Sequence, residues 1–115
     1  MIKIYHNPRC TKSRETLKIL KEKTNNFEVI DYINNPITPD ELEQIVFKLG
    51  IDADQLLRKN EAIYKEKFKG LELEFEEIIL AMIEYPKLME RPIVVKENRA
   101  IIGRPPENIL TLFKS

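Results

Sequence analysis

Within the first 32 residues, two short β-type runs flank one helix-length segment, and that order limits the folds open to the chain. Met1 to Tyr5 alternates, with Ile2 and Ile4 on one face, and reads as a strand. Thr11 to about Lys23 turns Leu17 and Leu20 inward and reads as a helix, with Pro8 marking the turn before it. Phe27 to Tyr32 reads as a second strand, closed by Asn34-Asn35-Pro36. A helical crossover between two strands sets them parallel in one sheet.

The middle of the chain is helical. Thr38-Pro39-Asp40-Glu41 supplies an N-cap threonine, a proline at the first helical position and a glutamate three residues on. Leu42, Ile45, Val46 and Leu49 follow at helical spacing, and Gly50 stops the helix. Asp54 to Arg58 and Glu61 to Phe68 read as shorter helices, and Glu74 to Glu84 as a longer one with Phe75, Ile78, Ile79 and Met82 on one stripe. Pro92-Ile-Val-Val and Ala100-Ile-Ile then form a hairpin across Lys96 to Arg99, and Pro105 to Phe113 reads as a closing helix. A crossover early and a hairpin late make the sheet mixed. The class is α/β, with a helical insert in the middle.

The chain of 115 residues suits one domain with a single core. Basic and acidic residues number 19 each, so net charge gives no support for nucleic acid or a membrane surface as partner. No apolar run is long enough to span a bilayer, and no charged, apolar leader precedes the first strand. With a single cysteine, no internal disulfide forms, and the expected compartment is the cytoplasm. One Cys and one His make a poor metal site, so neither a metal nor a bound cofactor is expected.

That lone cysteine, Cys10, falls where the first strand gives way to the first helix, in "YHNPRCTKSRETL". Free N–H groups and the positive end of the helix dipole favour a thiolate there, and would also receive an oxyanion. Arg9, Lys12 and Arg14 add charge that lowers a thiol pKa. Ser13 stands one turn away with a hydroxyl to offer the sulfur, and His6 at the strand end either holds the loop or pairs with the thiol. The bland reading of a lone cysteine is packing. A phosphatase loop needs arginine six positions after its cysteine, where this chain has Thr16. A dithiol oxidoreductase needs a second cysteine where this chain has Ser13, so any disulfide made in turnover is intermolecular and the electron donor external.

The same stretch resembles the active-site segment of the glutaredoxin-linked arsenate reductases, His-Asn-Pro-x-Cys-x-x-Ser-Arg, through His6, Asn7, Pro8, Cys10, Ser13 and Arg14. The resemblance continues nearly end to end through Arg58 in "LLRKNE", Arg91 in "ERPIVV" and Arg104 in "IGRPPE", without the longer C-terminal tail of several members. It implies a single thioredoxin-like domain over 1–115: a mixed four-stranded sheet flanked by helices, with a helical insertion at about 38–85 between the second and third strands. Pro92 becomes the candidate cis-proline facing the cysteine. Cys10 would attack arsenate while Arg58, Arg91 and Arg104 hold the oxyanion, guanidinium forks suiting it better than lysine. His6, Asn7, Ser13 and Arg14 would support the thiolate or its loop. Glutathione or another external thiol would serve as co-substrate and glutaredoxin or a similar reductase as partner, acting on a monomer.

Each arginine has a plainer alternative taken alone: a helix C-terminal charge for Arg58, a helix-entry surface residue for Arg104. Arg9 and Lys12 fall at variable positions of the motif, and Lys65 to Lys69 reads as a solvated helix face. The related Spx-type regulators share the fold but carry Cys-x-x-Cys and bind RNA polymerase; Ser13 and the three arginines argue against that reading. A third reading keeps fold and thiol and reduces a substrate other than arsenate.

Overall fold

A computed structural model describes residues 1–114. The elements are β1 (Ile2–His6), α1 (Thr11–Lys23), β2 (Phe27–Asp31), α2 (Pro39–Leu49), α3 (Ala53–Leu56), α4 (Ala62–Lys67), α5 (Phe75–Glu84), β3 (Ile93–Lys96) and β4 (Arg99–Ile102). A short 3₁₀ turn precedes β3, and a 3₁₀ helix, Pro106–Phe113, follows β4. The chain divides into two compact units, one made of Met1–Asn35 with the segment from Arg91 onward, the other of Pro36–Glu90.

The first unit is the sheet, in the order β2-β1-β3-β4. β1 runs parallel to β2, with Ile4 opposite Val29 and His6 opposite Asp31. It runs antiparallel to β3, with Ile4 opposite Val94, and β3 and β4 close the hairpin with Lys96 opposite Arg99. This is the mixed four-stranded sheet with flanking helices of a thioredoxin-like fold. On one face Ile2, Ile4 and Val94 pack with Leu20 of α1 and with Ile109 and Leu112 of the closing helix. The period of two on the strands and the helical spacing on α1 bring these side chains into one core. Burying one such side chain contributes about 1.5–3 kcal/mol.

The second unit is helical. Thr38 caps α2 by accepting the Glu41 N–H at 3.2 Å, and Gly50 ends it in the left-handed region at φ 69°. Leu42, Ile45 and Val46 of α2 and Ile78, Ile79 and Met82 of α5 are buried. Phe75 departs from its expected place on the inward stripe: it opens α5 and is 40% exposed. The closing helix also departs from expectation, since its turns are 3₁₀ rather than α. Sequence periodicity over eight residues does not separate a 3.0 from a 3.6 repeat.

One contact in the first unit leaves no spare room. Gly103, directly after β4, donates its N–H to the Pro92 carbonyl at 2.8 Å. A Cβ placed on it would stand 2.6 Å from Thr16 Oγ1, 2.9 Å from Thr16 Cγ2 and 3.0 Å from Pro92 Cγ. Thr16 is fully buried on α1 and Pro92 is also buried, so neither has open space to retreat into. Overpacking a filled core costs about 1–3 kcal/mol. Gly103→Ala is therefore expected to lose stability in that range by urea denaturation, whereas Gly50→Ala loses it through backbone strain with nothing nearby to clash.

Candidate active site

β1 delivers His6 and Asn7 to the point where the chain turns into α1. Cys10 is the N-cap of α1, with extended φ −94° and ψ 123°. Its N–H donates to the Asn7 carbonyl at 3.0 Å, closing the turn, and its own carbonyl accepts the Arg14 N–H at 3.0 Å. The thiol is only partly exposed. Its sulfur lies at the N-terminal end of α1, where the backbone N–H groups of Lys12 and Ser13 favour a thiolate without closing a cap hydrogen bond.

Two arginines complete the surroundings of the sulfur. Arg104 Nη2 stands 3.9 Å from Cys10 Sγ, and its Nε donates to the Arg91 carbonyl at 3.3 Å. Arg91 donates a hydrogen bond to the thiol and acts on it by charge. Both arginines precede cis prolines, Pro92 and Pro105. The second of these has no forecast in the sequence beyond the Pro105-Pro106 pair. Burial pushes the Cys10 thiol up, but the Ser13 N–H, the Arg91 guanidinium and the Lys12 N–H outweigh it, so its pKa falls below the ordinary thiol value.

The role of the Ser13 side chain differs from the one its spacing suggests. Its hydroxyl is fully buried, accepts the Asn7 N–H at 3.0 Å and lies 2.5 Å from His6 Nδ1. The hydroxyl and His6 Nδ1 share a single proton between them, its direction set by the tautomer of the ring. Ser13 thus reaches the sulfur through its backbone, while its side chain ties the end of β1 to α1. His6 holds this loop. Burial lowers its pKa, with Arg14 and Lys21 acting in the same direction and Asp31 opposing them.

Arg14 braces the turn from outside, donating to the Pro8 carbonyl at 2.9 Å and to Thr11 Oγ1 at 3.3 Å. Asn7 Oδ1 accepts the Arg9 N–H at 3.0 Å, and Lys12 pairs loosely with Glu15 at 3.9 Å on the exposed side. Arg58 belongs to the second unit. There Leu57 bridges to Met89, and Arg58 lies beside Glu90 at 3.2 Å and Glu61 at 3.5 Å. Its Nη1 is buried and has no hydrogen-bond partner among the described residues. Sequence reasoning missed the close contact of Thr16 with Gly103 beside Arg104. The glycine in "IGRPPE" was a signal for close backbone approach, and Thr16 gave none. No group of three or more His, Cys, Asp or Glu among the described residues is disposed to hold a metal.

These charges make two measurable statements. Alkylation of Cys10 by iodoacetamide, followed against pH, should show a midpoint below about 8.5, the free-thiol value. Arg91→Gln should move it upward, and an unmoved midpoint would remove Arg91 from the thiolate's environment. His6, the only histidine, should titrate below about 6.5 by NMR. The unfolded chain binds its imidazole proton first, so this group lowers stability as pH falls from about 6.5 toward its folded value. His6→Gln should flatten that part of the stability profile.

The family pattern described as the ArsC family matches residues 5–112. The Escherichia coli K12 protein YfgD, named as uncharacterized, is 48% identical over 113 residues, covering 96% of this chain and 95% of that protein. An arsenate reductase of Haemophilus influenzae is 41% identical over 112 residues, covering 96% and 97%. An arsenate reductase structure from Vibrio cholerae superposes with a TM-score of 0.90 at 40% identity, covering 96% of this chain and 95% of that one. By residues matched and by fold, this chain belongs to the ArsC family.

Proposed function

We propose that this chain reduces arsenate to arsenite through a single thiol, Cys10, with glutathione or an equivalent external thiol and a glutaredoxin-like reductase completing the cycle. The observation that carries the reading is Arg104 at 3.9 Å from Cys10 Sγ, with Arg91 bonded to the same thiol at a helix N-terminus. A nucleophile and a cationic cradle for its anionic target thus occupy one place. The names of the Haemophilus and Vibrio relatives supply the substrate.

In this scheme the Cys10 thiolate attacks arsenic, an arsenate oxygen leaves as water after taking up protons, and a sulfur–arsenic(V) bond forms. The thiolate of the external donor then attacks the Cys10 sulfur. The sulfur–arsenic bond breaks with its electron pair passing to arsenic, which becomes arsenic(III), and the two sulfurs join as a disulfide. The external reductase returns Cys10 to the thiolate. Arg91 and Arg104 hold the oxyanion and balance the charge developing on it. Arg58, the third arginine of the family resemblance, stands in the second unit, where Glu61 and Glu90 engage its guanidinium.

Charge distribution supports an anionic substrate. The unit that carries Cys10 holds twelve of the 19 basic residues and six of the 19 acidic ones. A neutral chain therefore presents a cationic field around its thiol. No helix among the described residues is long and apolar enough to cross a membrane. The proposal places the reaction in the cytoplasm, where a lone cysteine stays reduced, with the protein acting as a monomer.

Arsenite release is to be measured with glutathione and glutaredoxin present, for the wild type and Cys10→Ser. Activity is expected in the first and none in the second; equal rates sink the thiol mechanism. Removing a charged hydrogen-bond donor costs about 1.5–3 kcal/mol, so Arg104→Gln should lower kcat/KM by roughly ten- to hundredfold.

A further inference from the structure

Thr16 lies two turns into α1, fully buried and away from the sulfur, yet its hydroxyl touches the segment that carries an arginine of the site. Thr16 Oγ1 donates to the Lys12 carbonyl at 2.8 Å, the ordinary bond of a threonine to its own helix. The same hydroxyl is 3.3 Å from the carbonyl of Gly103, 87 positions along the chain. That second contact has no local reason.

The Gly103 contact belongs to a closed circuit. Gly103 donates its N–H to the Pro92 carbonyl at 2.8 Å, so the residues before Arg104 and after Arg91 are bonded backbone to backbone. Arg104 Nε then donates to the Arg91 carbonyl at 3.3 Å, and Arg104 Nη2 approaches Cys10 Sγ at 3.9 Å. Cys10 caps the helix on which Thr16 stands. A path from Thr16 through Gly103, Arg104 and Cys10 thus returns along α1 to Thr16. The hydroxyl of Thr16, sharing its proton between the Lys12 and Gly103 carbonyls, links the body of the helix to the arginine-bearing segment.

We propose that Thr16 is a positioning residue for the thiol site: its hydroxyl sets the Gly103–Arg104 segment against α1 and thereby fixes where the Arg91 and Arg104 guanidiniums meet the Cys10 sulfur. The proposal rests on Cys10 being the reacting thiol, and its test uses no arsenate. A purely structural role predicts lost stability with the site unaltered in whatever protein remains folded. The positioning role makes a different statement. Without the hydroxyl the segment is no longer pinned, the cations stand off, and the thiolate loses stabilisation in a fully folded protein.

The charged neighbours that bear on Cys10 are Arg91 and Arg104, together with the Lys12 and Ser13 N–H groups of α1. Thr16→Val keeps the shape and removes the hydroxyl; Thr16→Ser keeps the hydroxyl and loses a methyl group. Each is to be alkylated with iodoacetamide across pH, well below its unfolding temperature, with circular dichroism confirming the fold. Thr16→Val is expected to shift the midpoint upward, slowing alkylation near neutral pH by about threefold, which corresponds to half of a tenfold step on a logarithmic scale. Thr16→Ser is expected to stay near wild type. Thr16→Ala, which adds no bulk beside Gly103, gives the same reading if the valine variant does not fold. A midpoint unchanged in every hydroxyl-free variant overturns the proposal, as does an equal shift in Thr16→Ser. Failure of the wild type to turn over arsenate would defeat the functional reading and leave this result standing on its own.

Discussion

The position without clearance, Gly103, is the constraint on which the site depends. Its N–H is committed to Pro92, and the place of its missing Cβ is occupied by Thr16 and Pro92. Glycine is needed there for proximity and not for a left-handed backbone, because Gly50 and Gly70, unlike Gly103, are the glycines with positive φ. The end of β4, the start of β3 and one face of α1 meet at this point. Arg91 and Arg104 flank it in sequence, so the packing that closes the fold also brings two guanidiniums to one sulfur.

The thiolate itself results from opposed effects of comparable size. Burial disfavours a charged sulfur, and a helix terminus alone supplies about 0.3–1 kcal/mol to an exposed anion. Hydrogen bonds to a charged acceptor are worth about 1.5–3 kcal/mol each. Nearby donors therefore decide the outcome: the Ser13 and Lys12 N–H groups and the Arg91 guanidinium favour the Cys10 thiolate and bring its pKa down despite burial. Arg9 and Lys12 supply little through their side chains, which point to solvent or to Glu15. The crowd of charge in "PRCTKSR" is thus mostly peripheral, and the cations beside the sulfur come from residues 91 and 104.

Much of the architecture was legible because it is locally encoded. Thr38-Pro39 and Gly50 bound α2 by capping chemistry that acts over four residues, and the alternation in Ile2 and Ile4 sets their face of the sheet. Cys10 at the helix start follows from the same kind of short-range signal. What was not legible depends on long-range geometry. Nothing in the helical stripe of α5 says that Phe75 lies 40% exposed. The pairing of Arg58 with both Glu61 and Glu90 needs the Leu57–Met89 bridge, which no window of sequence displays. Thr16 has only its burial and a carbonyl 87 residues away to mark it.

Ser13 shows how local and distant constraints meet. A cysteine there would make a dithiol motif, yet the observed side chain is fully buried, with its oxygen held between the Asn7 N–H and His6 Nδ1. A sulfur is larger than a hydroxyl oxygen and a weaker hydrogen-bond partner, so the 2.5 Å contact with His6 would open. The bond that joins the end of β1 to α1 would weaken with it. The serine thus holds the loop on which Cys10 stands and leaves that cysteine as the only thiol of the chain. Whatever oxidises Cys10 to a disulfide must bring the second sulfur with it, and the exposed side of the thiol is where that sulfur must arrive.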